Sequence, residues 1–272
     1  MGYPVAHSLS PRLHGYWLRR YEIDGAYIPL PVRPEDFSKA LSAIPALGLF
    51  GVNVTVPHKE AALAAVDTTS EQARRIGAVN TVVVGRDGEL HGSNTDAFGF
   101  VENLKSGYPR WTAGHGPAVV LGGGGAARAV CAALIDGGVP EIRLINRTRS
   151  RAESLASDLG EPIETIPWEV RAEALDGAVL LVNTTTLGMT GSPALDLDLA
   201  ALPADSVVTD IVYNPVETRL LRQATRRGNP VVDGLGMLLH QARPGFAAWF
   251  GVEPEVTQEL REFVLEGLSG LW

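Results

Sequence analysis

The chain has 272 residues, of which 45% are hydrophobic and 20% charged, a composition typical of globular proteins and not of disordered ones. Its formal net charge of −8 argues against nucleic acid or an anionic membrane as a partner, because both attract basic surfaces. A single cysteine, Cys131, excludes an intrachain disulfide and a cysteine-rich metal cluster, and with no signal peptide or long apolar run we expect a cytoplasmic protein.

Two helices are predicted near the start of the chain. Ser10 and Pro11 suit the N-cap and the first position of a helix, and Trp17 follows on its apolar face. The same pattern after a proline predicts a second helix over residues 35–47. We therefore expect a helix from Pro11 onward and another before the first strand.

Two predicted strands bring polar residues to their ends. Apolar and polar residues alternate over 52–56, which predicts a strand that ends just before Lys59. A second strand, 81–84, enters a tight turn, and its return strand leads through Asn94 to Asp96, where a helix should begin. Both Lys59 and Asp96 therefore lie at the corners between strands and helices.

After a loop rich in glycine and proline at 105–117, short apolar strands alternate with helices. Runs of Val, Ile and Leu indicate strands buried on both faces, as in a parallel doubly wound sheet. Two helices, about 237–250 and 256–268, end the chain. The predicted strands are 118–121, 142–145, 179–182, 207–212 and 231–232, and the helices between them are 126–136, 151–159 and 218–227.

A glycine-rich turn follows the first of these strands. Residues 122–127 match the Gly-x-Gly-x-x-Gly/Ala fingerprint, with Gly122, Gly124 and Ala127 at the fixed positions. Glycine lets the backbone approach a pyrophosphate, and the next helix offers free N–H groups at its N-terminus. The alternative is a glycine-rich loop that binds no ligand. The turn lies between a buried strand and a helix, and this position favours a dinucleotide-binding site.

The next strand ends in a basic turn. Enzymes that use NAD carry an acid about 20 residues past the glycines, where it binds the ribose hydroxyls. Here Asn146-Arg147-Thr148 stands instead, with two more arginines by residue 151. Arginine can pair with a ribose phosphate through charge-assisted bonds, so this turn predicts NADP. A solvated basic turn is the alternative.

Polar clusters flank this predicted cofactor unit on both sides. They are Ser8-Leu9-Ser10-Pro11, residues 53–59 (Asn-Val-Thr-Val-Pro-His-Lys), residues 77–81 (Gly-Ala-Val-Asn-Thr), residues 94–96 (Asn-Thr-Asp) and residues 233–242 (Asp-Gly-Leu-Gly-Met-Leu-Leu-His-Gln-Ala). In this order, with the glycine turn and the basic turn before the last of them, they closely resemble the shikimate dehydrogenase family over essentially the whole chain.

The resemblance implies a reversible, NADP-dependent reduction of 3-dehydroshikimate to shikimate in aromatic amino-acid biosynthesis. In the family's pattern Lys59 and Asp96 are the catalytic pair. Carbonyl reduction needs a proton donor beside the hydride acceptor, and an ammonium held by a carboxylate can be oriented for that task. The alternative for the two residues is an ordinary salt bridge.

The resemblance also assigns binding residues. The substrate positions are Ser8, Ser10, Thr55, Lys59, Asn80, Asp96, Tyr213 and Gln241, with the two serines expected at the carboxylate. The cofactor positions are Gly122, Gly123, Gly124, Gly125, Ala126, Asn146, Arg147, Thr148, Arg151, Asn183, Thr184, Ile211 and Gly234. Ser10 could instead be only a helix N-cap, and Gln241 a solvent-facing helix residue.

The match has departures. Family members usually carry an apolar first strand before the segment at Gly2, so either this strand is truncated or the start was assigned late. Ala97 replaces a common glycine and could narrow the hinge between lobes. The histidines show no metal-ligand spacing, so no metal is expected; His58 is expected to face solvent, and Trp17, Trp249 and Trp272 to pack.

The expected architecture is α/β with two domains. The family arrangement makes 1–96 and 233–272 a discontinuous substrate domain, an α/β sandwich, and 97–232 a Rossmann-type doubly wound NADP domain. The active site would lie in a cleft that closes on NADP. A monomer or homodimer is expected. The alternatives are a quinate/shikimate dehydrogenase of broader range and an NADP-binding sensor that has lost catalysis.

Overall fold

The computed structural model describes residues 1–6 and 8–269, so the expectations for His7 and Trp272 lie outside the described residues. The chain divides into two compact units. Unit 1 comprises Met1–Asp96 and Leu239–Trp272, and unit 2 comprises Ala97–Leu238. Among the described residues, no helix has the length and apolar character needed to cross a membrane.

Unit 1 contains a small mixed sheet covered by helices. Its strands are β1 (Gly51–Asn53), β2 (Thr68–Thr69), β3 (Thr81–Val84) and β4 (Leu90–Ser93), and the helices of this segment are α1 (Ser10–Arg20), α2 (Phe37–Ser42), α3 (Lys59–Ala65) and α4 (Glu71–Ile76). The sheet order is β1-β3-β4-β2, with β3 antiparallel to both neighbours and β2 parallel to β4. Buried apolar side chains of α2, β1, β3 and β4 form one core.

Three details of this segment differ from the sequence-based expectations. Ser10 is the first residue of α1 and not its N-cap; Leu9 takes that position, and Ser8 Oγ accepts a hydrogen bond from Ser10 N at 3.3 Å. The helix expected over 35–47 ends at Ser42 and gives way to a 3-10 turn at Pro45–Leu47, because proline lacks an N–H and clashes inside a helix.

The strand expected over 52–56 is also shorter, because its bonding partner changes. β1 ends at Asn53, and from there Thr55 N donates to Met1 O at 2.9 Å while Tyr3 N donates to Val56 O at 3.0 Å. Gly2 forms a parallel bridge with Pro31. The segment 1–3 thus connects the end of β1 to residues 30–32.

Unit 2 is built on a six-stranded parallel sheet. Its strands are β5 (Ala118–Leu121), β6 (Ile142–Ile145), β7 (Ile163–Ile166), β8 (Leu180–Asn183), β9 (Val207–Asp210) and β10 (Val231–Val232), with helices α5 (Asp96–Gly107), α6 (Gly125–Asp136), α7 (Arg149–Leu159) and α8 (Arg219–Arg227). The order β7-β6-β5-β8-β9-β10 is the 3-2-1-4-5-6 order of doubly wound dinucleotide-binding sheets. The predicted fold class is confirmed. The order reverses between β5 and β8, and ligands bind at the carboxyl ends of such strands.

The strand β7 was not expected from the sequence. It lies at the edge of the sheet, its residues are only partly buried, and Glu164 and Thr165 interrupt its apolar character. The strand expected over 207–212 ends at Asp210, because the Asp210 carboxylate, and not a neighbouring strand, accepts the hydrogen bond of Val212 N.

Two helices complete the chain, α9 (Leu235–Phe250) and α10 (Gln258–Glu266). In unit 1, Phe246 of α9 packs edge-on against Trp17 of α1, with ring centroids 5.3 Å apart. His14 is fully buried beside them, and its ring stacks on Tyr27 at 4.0 Å with an interplanar angle of 3°. Neither ring nitrogen of His14 has a hydrogen-bond partner among the described residues, and burial lowers its pKa to about 3.

Replacing His14 by phenylalanine is expected to make the stability of the protein less sensitive to acid. As the pH falls below the ordinary histidine pKa of about 6.5, His14 becomes protonated in the unfolded chain but stays neutral in the folded protein. The free energy of unfolding therefore decreases, by about 2 kcal/mol at pH 5. His14→Phe removes this loss and keeps the stacked ring. Urea unfolding at pH 8 and pH 5 checks it, with exposed His115→Phe as the control. Equal pH sensitivity of His14→Phe and the wild type would show that His14 does not cause the loss of stability in acid.

Candidate active site

A buried ion pair is formed by two residues of unit 1 that each begin a helix. Lys59 is the first residue of α3 and Asp96 the first residue of α5. Lys59 Nζ donates to Asp96 Oδ2 at 2.5 Å, and the two side chains are only 14% and 6% exposed. Asn94 Oδ1 accepts the backbone N–H of Asp96 at 3.0 Å, which fixes the start of α5. The sequence-based pair is therefore brought together, with one ammonium hydrogen committed to the carboxylate.

Asn80 holds this pair in place. It is 2% exposed, and its Nδ2 donates to Asp96 Oδ1 at 2.9 Å and reaches Gln241 Oε1 at 3.4 Å. Its Oδ1 accepts from Thr95 N at 2.8 Å. Four of the residues expected at the substrate, namely Lys59, Asn80, Asp96 and Gln241, therefore form one connected group.

A line of hydrogen bonds joins this group to Ser10. Tyr27 contacts the Ser10 side chain and donates from its hydroxyl to Asn53 Oδ1 at 2.7 Å. Asn53 Nδ2 donates to Thr81 Oγ1 at 3.1 Å, and Thr81 Oγ1 donates to Asn80 Oδ1 at 3.1 Å. Burial raises the pKa of Tyr27 above its usual range, so its hydroxyl keeps its proton. No sequence signal pointed to Tyr27, whereas Asn53 lay in a cluster without an assigned role.

His58 differs from the expectation that it faces solvent. It is 2% exposed, its ring stacks on Phe37 at 4.4 Å, and its Nε2 lies 2.7 Å from Val32 O. The apolar face of α2 covers it because α2 and α3 pack side by side. His58 therefore anchors the start of the helix that carries Lys59.

In unit 2, the glycine turn joins β5 to α6. Gly122 has a φ of 127°, a region that favours glycine, and an added Cβ there would collide with Thr184 Oγ1. A Cβ on Gly123 would lie 3.0 Å from the Asn146 side chain, whereas one on Gly124 would meet no atom within 4 Å. The space beside Gly124 is therefore free of protein atoms, and it lies directly before the N-terminal N–H groups of α6.

The basic turn lies beside the glycine turn. Asn146 follows β6, and its Nδ2 donates to Thr148 O at 2.8 Å. Arg147 is exposed, and Arg151 lies in the first turn of α7 with its Cβ close to Gly123. Arg149 is held by Glu153 at 2.7 Å. The structure therefore brings the residues expected at the ribose phosphate next to those expected at the pyrophosphate.

The residues expected at the nicotinamide gather at the ends of β8 and β9. Thr184 Oγ1 donates to Leu121 O at 2.7 Å, and Ile211 N donates to Asn183 O at 3.0 Å. The Cα of Gly234 lies so close to Ile211 O that a side chain there would collide with it. Tyr213 follows in the same unit, two residues past Ile211.

The side chain of Asn183 is fixed by contacts within unit 2. It is 0% exposed, and both its side-chain oxygen and its side-chain nitrogen are bonded within the protein. The side chain therefore has no hydrogen-bonding position left for a ligand, and the assignment of Asn183 to the nicotinamide stays a prediction.

Comparison with known proteins places the chain in a family. The family model described as the shikimate dehydrogenase substrate binding domain matches residues 1–82, and that of shikimate / quinate 5-dehydrogenase matches residues 113–187. The NADP(+) shikimate dehydrogenase of Paramagnetospirillum magneticum is 63% identical over 97% of this chain and 96% of its own length. This chain belongs to the shikimate dehydrogenase family.

Solved structures of shikimate dehydrogenase family members and their neighbours share the fold. The shikimate 5-dehydrogenase of Thermus thermophilus, in complex with NADP(H) and shikimate, is 40% identical over 98% of this chain and 96% of its own, with a TM-score of 0.84. The quinate dehydrogenase of Corynebacterium glutamicum, in complex with NAD, is 33% identical over 97% of this chain and 96% of its own, with a TM-score of 0.89. The family predicted from the ordered motifs is thereby confirmed.

Proposed function

We propose that this chain catalyses the reversible, NADPH-dependent reduction of 3-dehydroshikimate to shikimate in aromatic amino-acid biosynthesis. The observation that carries the proposal is the buried Lys59–Asp96 pair, joined through Asn80 to Gln241. Its relatives named NADP(+) shikimate dehydrogenase cover almost the whole chain. Family membership and the ion pair together favour an active enzyme over a sensor that has lost catalysis.

Lys59 is proposed to supply the proton of the reduction. NADPH, when bound, would supply the hydride for the carbonyl carbon, and the electron pair of the carbon–oxygen double bond would pass to the oxygen. The oxygen takes a proton from the Lys59 ammonium and becomes a hydroxyl, and the neutral amine is reprotonated from solvent. Asp96 occupies one ammonium hydrogen and orients the remaining two. In the oxidation of shikimate, Lys59 accepts the proton.

Substrate recognition is proposed for unit 1 and NADP binding for unit 2. Shikimate carries a carboxylate and three hydroxyls, which suit neutral donors and acceptors. Ser8 and Ser10 are assigned to the carboxylate and Asn80, Asp96 and Gln241 to the ring hydroxyls. Thr55 and Tyr213 are assigned as further substrate contacts. In unit 2 the glycine turn is assigned to the pyrophosphate and the ends of β8 and β9 to the nicotinamide. The ribose phosphate is assigned to Asn146, Arg147, Thr148 and Arg151 of the basic turn.

Initial rates with two cofactors and two substrates test the function. We expect shikimate with NADP to give the highest kcat/KM of the four combinations that shikimate and quinate form with NADP and NAD. The reason is that the turn after β6 carries Arg147 where an NAD enzyme would carry an acid. A preference for quinate with NAD would support a quinate dehydrogenase. No turnover in any combination would support the sensor.

Arg147→Ala is expected to weaken NADP binding and leave NAD binding unchanged. Removing a charge-assisted bond to the ribose phosphate costs about 1.5–3 kcal/mol, which raises the KM for NADP by about 10- to 100-fold. Arg149→Ala is the matched control, because Arg149 is an exposed arginine on the same turn whose side chain is held by Glu153. An equal effect of the two variants, or a parallel loss with NAD, would refute the phosphate assignment.

The enzyme is further proposed to be cytoplasmic and to exist as a monomer or homodimer. Cys131 is a free cysteine, buried in α6, and burial raises its pKa to about 12, so the thiol stays protonated and unreactive. Such a cysteine suits a reducing compartment.

A further inference from the structure

A buried carboxylate in unit 2 has no part in the chemistry proposed above. Asp210 ends β9 and is 0% exposed. Among the residues that the structure describes, no lysine, arginine or histidine forms an ion pair with it. Burial raises its pKa to about 6, while hydrogen bonds from Thr218, Val212 and Asn183 act in the opposite direction. Placing an acid in such surroundings is costly, so its contacts indicate what it does.

Asp210 accepts hydrogen bonds from three segments of the chain. Asn183 Nδ2 donates to Oδ1 at 2.9 Å, and Val212 N donates to the same oxygen at 3.0 Å. Thr218 Oγ1 donates to Oδ2 at 2.7 Å. A carboxylate can accept all three bonds. An asparagine would place its NH₂ group either toward Thr218 Oγ1 or toward the two donors that bond to Oδ1.

On one side, the contact with Asn183 fixes the turn after β8. Asn183 Oδ1 accepts from Thr185 N at 3.1 Å and from Thr185 Oγ1 at 2.7 Å. Asn183 Nδ2 also donates to Leu187 O at 3.1 Å. The orientation of the amide therefore sets the path of residues 184–187.

On the other side, the contacts with Val212 and Thr218 fix the segment after β9. Thr218 is the N-cap of α8, and its Oγ1 accepts from Leu221 N at 3.3 Å. The bond to Val212 N bends the chain directly after β9. Asp210 thus ties the residues around Ile211 to the start of α8.

These two segments carry the residues assigned to the nicotinamide, Thr184 on one and Ile211 on the other. We propose that Asp210 is a positioning residue that holds residues 184–187 and 211–213, through Asn183 and Thr218, in the arrangement that receives the nicotinamide ring. The inference rests on the proposed function, because the ring has to be oriented for hydride transfer. It assigns no catalytic step to Asp210 itself.

The test separates the nicotinamide end of NADP from the adenosine end. The probe is 2′,5′-ADP, which contains the ribose phosphate but lacks the nicotinamide. Asp210→Asn is expected to weaken NADP binding and lower kcat by about 10- to 100-fold, because small misplacements of a reacting group have effects of this size. The Kd for 2′,5′-ADP and the KM for shikimate are expected to stay within about twofold of the wild type. A change of that size is what a substitution without a specific contact usually causes. Asp205→Asn, an exposed aspartate of the same unit, is the control.

A second pair of variants covers the case in which Asp210→Asn does not fold. Thr218→Ser keeps the hydroxyl and should retain kcat, whereas Thr218→Val loses it and should repeat the selective defect with NADP. An equal loss of NADP and 2′,5′-ADP binding, or an unchanged kcat in Asp210→Asn, would overturn the proposal. Because binding of both probes is measured without turnover, failure of the proposed function is distinguishable from failure of the positioning role.

Discussion

Replacing Lys59 by alanine is expected to lower kcat by about 10²- to 10⁴-fold, the range that a positioned proton donor contributes. The side chain is 14% exposed and its ammonium is held by Asp96, so alanine removes a proton donor whose position is fixed. The KM for shikimate should change much less than kcat, because Asn80 and Gln241 keep their mutual contact. Steady-state kinetics with purified protein checks both constants.

The control for this variant is Lys39→Ala. Lys39 is exposed on α2, so its loss removes the same charge without touching the ion pair. Rates of Lys59→Ala within a few-fold of the wild type would eliminate Lys59 as the proton donor. A large rise in the KM for shikimate with an unchanged kcat would make it a binding residue instead.

Substituting alanine for either of two glycines in the turn after β5 is expected to weaken NADP binding, but only one of the two substitutions should also destabilise the fold. Gly122→Ala should lose NADP binding and about 1–3 kcal/mol of stability, because its φ of 127° is strained for alanine and the methyl group would strike Thr184. Gly124→Ala should fold normally, since no protein atom lies within 4 Å of its added Cβ. It should nevertheless raise the Kd for NADP about tenfold or more, an effect of about 1.4 kcal/mol, because the methyl group takes the space that a pyrophosphate needs.

Thermal unfolding and a fluorescence titration with NADPH distinguish these outcomes. Gly114→Ala, at an exposed glycine of unit 2 with open space around it, serves as the control for a simple glycine-to-alanine change. The assignment of the turn to a pyrophosphate would be abandoned if Gly124→Ala bound NADPH as tightly as Gly114→Ala.

Much of the cofactor unit could be predicted because its signals are local. The runs at 118–121 and 142–145 are wholly apolar or nearly so, and the structure forms strands with those bounds. The edge strand β7 was missed because its residues are only partly buried and two of the four, Glu164 and Thr165, are polar. In unit 1, β2 has only two residues, too few to produce a periodic pattern.

In the candidate site too, residues within a recognisable motif could be predicted, whereas contacts between distant parts of the chain could not. Lys59, Asp96, Asn80 and Gln241 were expected through the family's motifs, since residues 161 positions apart, as Asn80 and Gln241 are, give no local signal of contact. Tyr27 lies in a segment without helix or strand, and its bond to Asn53 spans 26 positions. The role of Asn183 could not be read from its place in a motif, because the Asp210 that binds it lies 27 positions later.

The line of side chains from Ser10 through Tyr27, Asn53 and Thr81 to Asn80 affects how selectivity can change in this protein. Each of these side chains is hydrogen-bonded to the next one in the line. The changes in binding free energy caused by two substitutions in the line are therefore not expected to be additive. If Ser10 binds the carboxylate of the substrate and Asn80 its ring hydroxyls, as proposed, we expect the affinities for the two ends of the substrate to be thermodynamically coupled. A substitution at one end of the line would then change binding at the other end, so selectivity is best altered by simultaneous substitutions along the line.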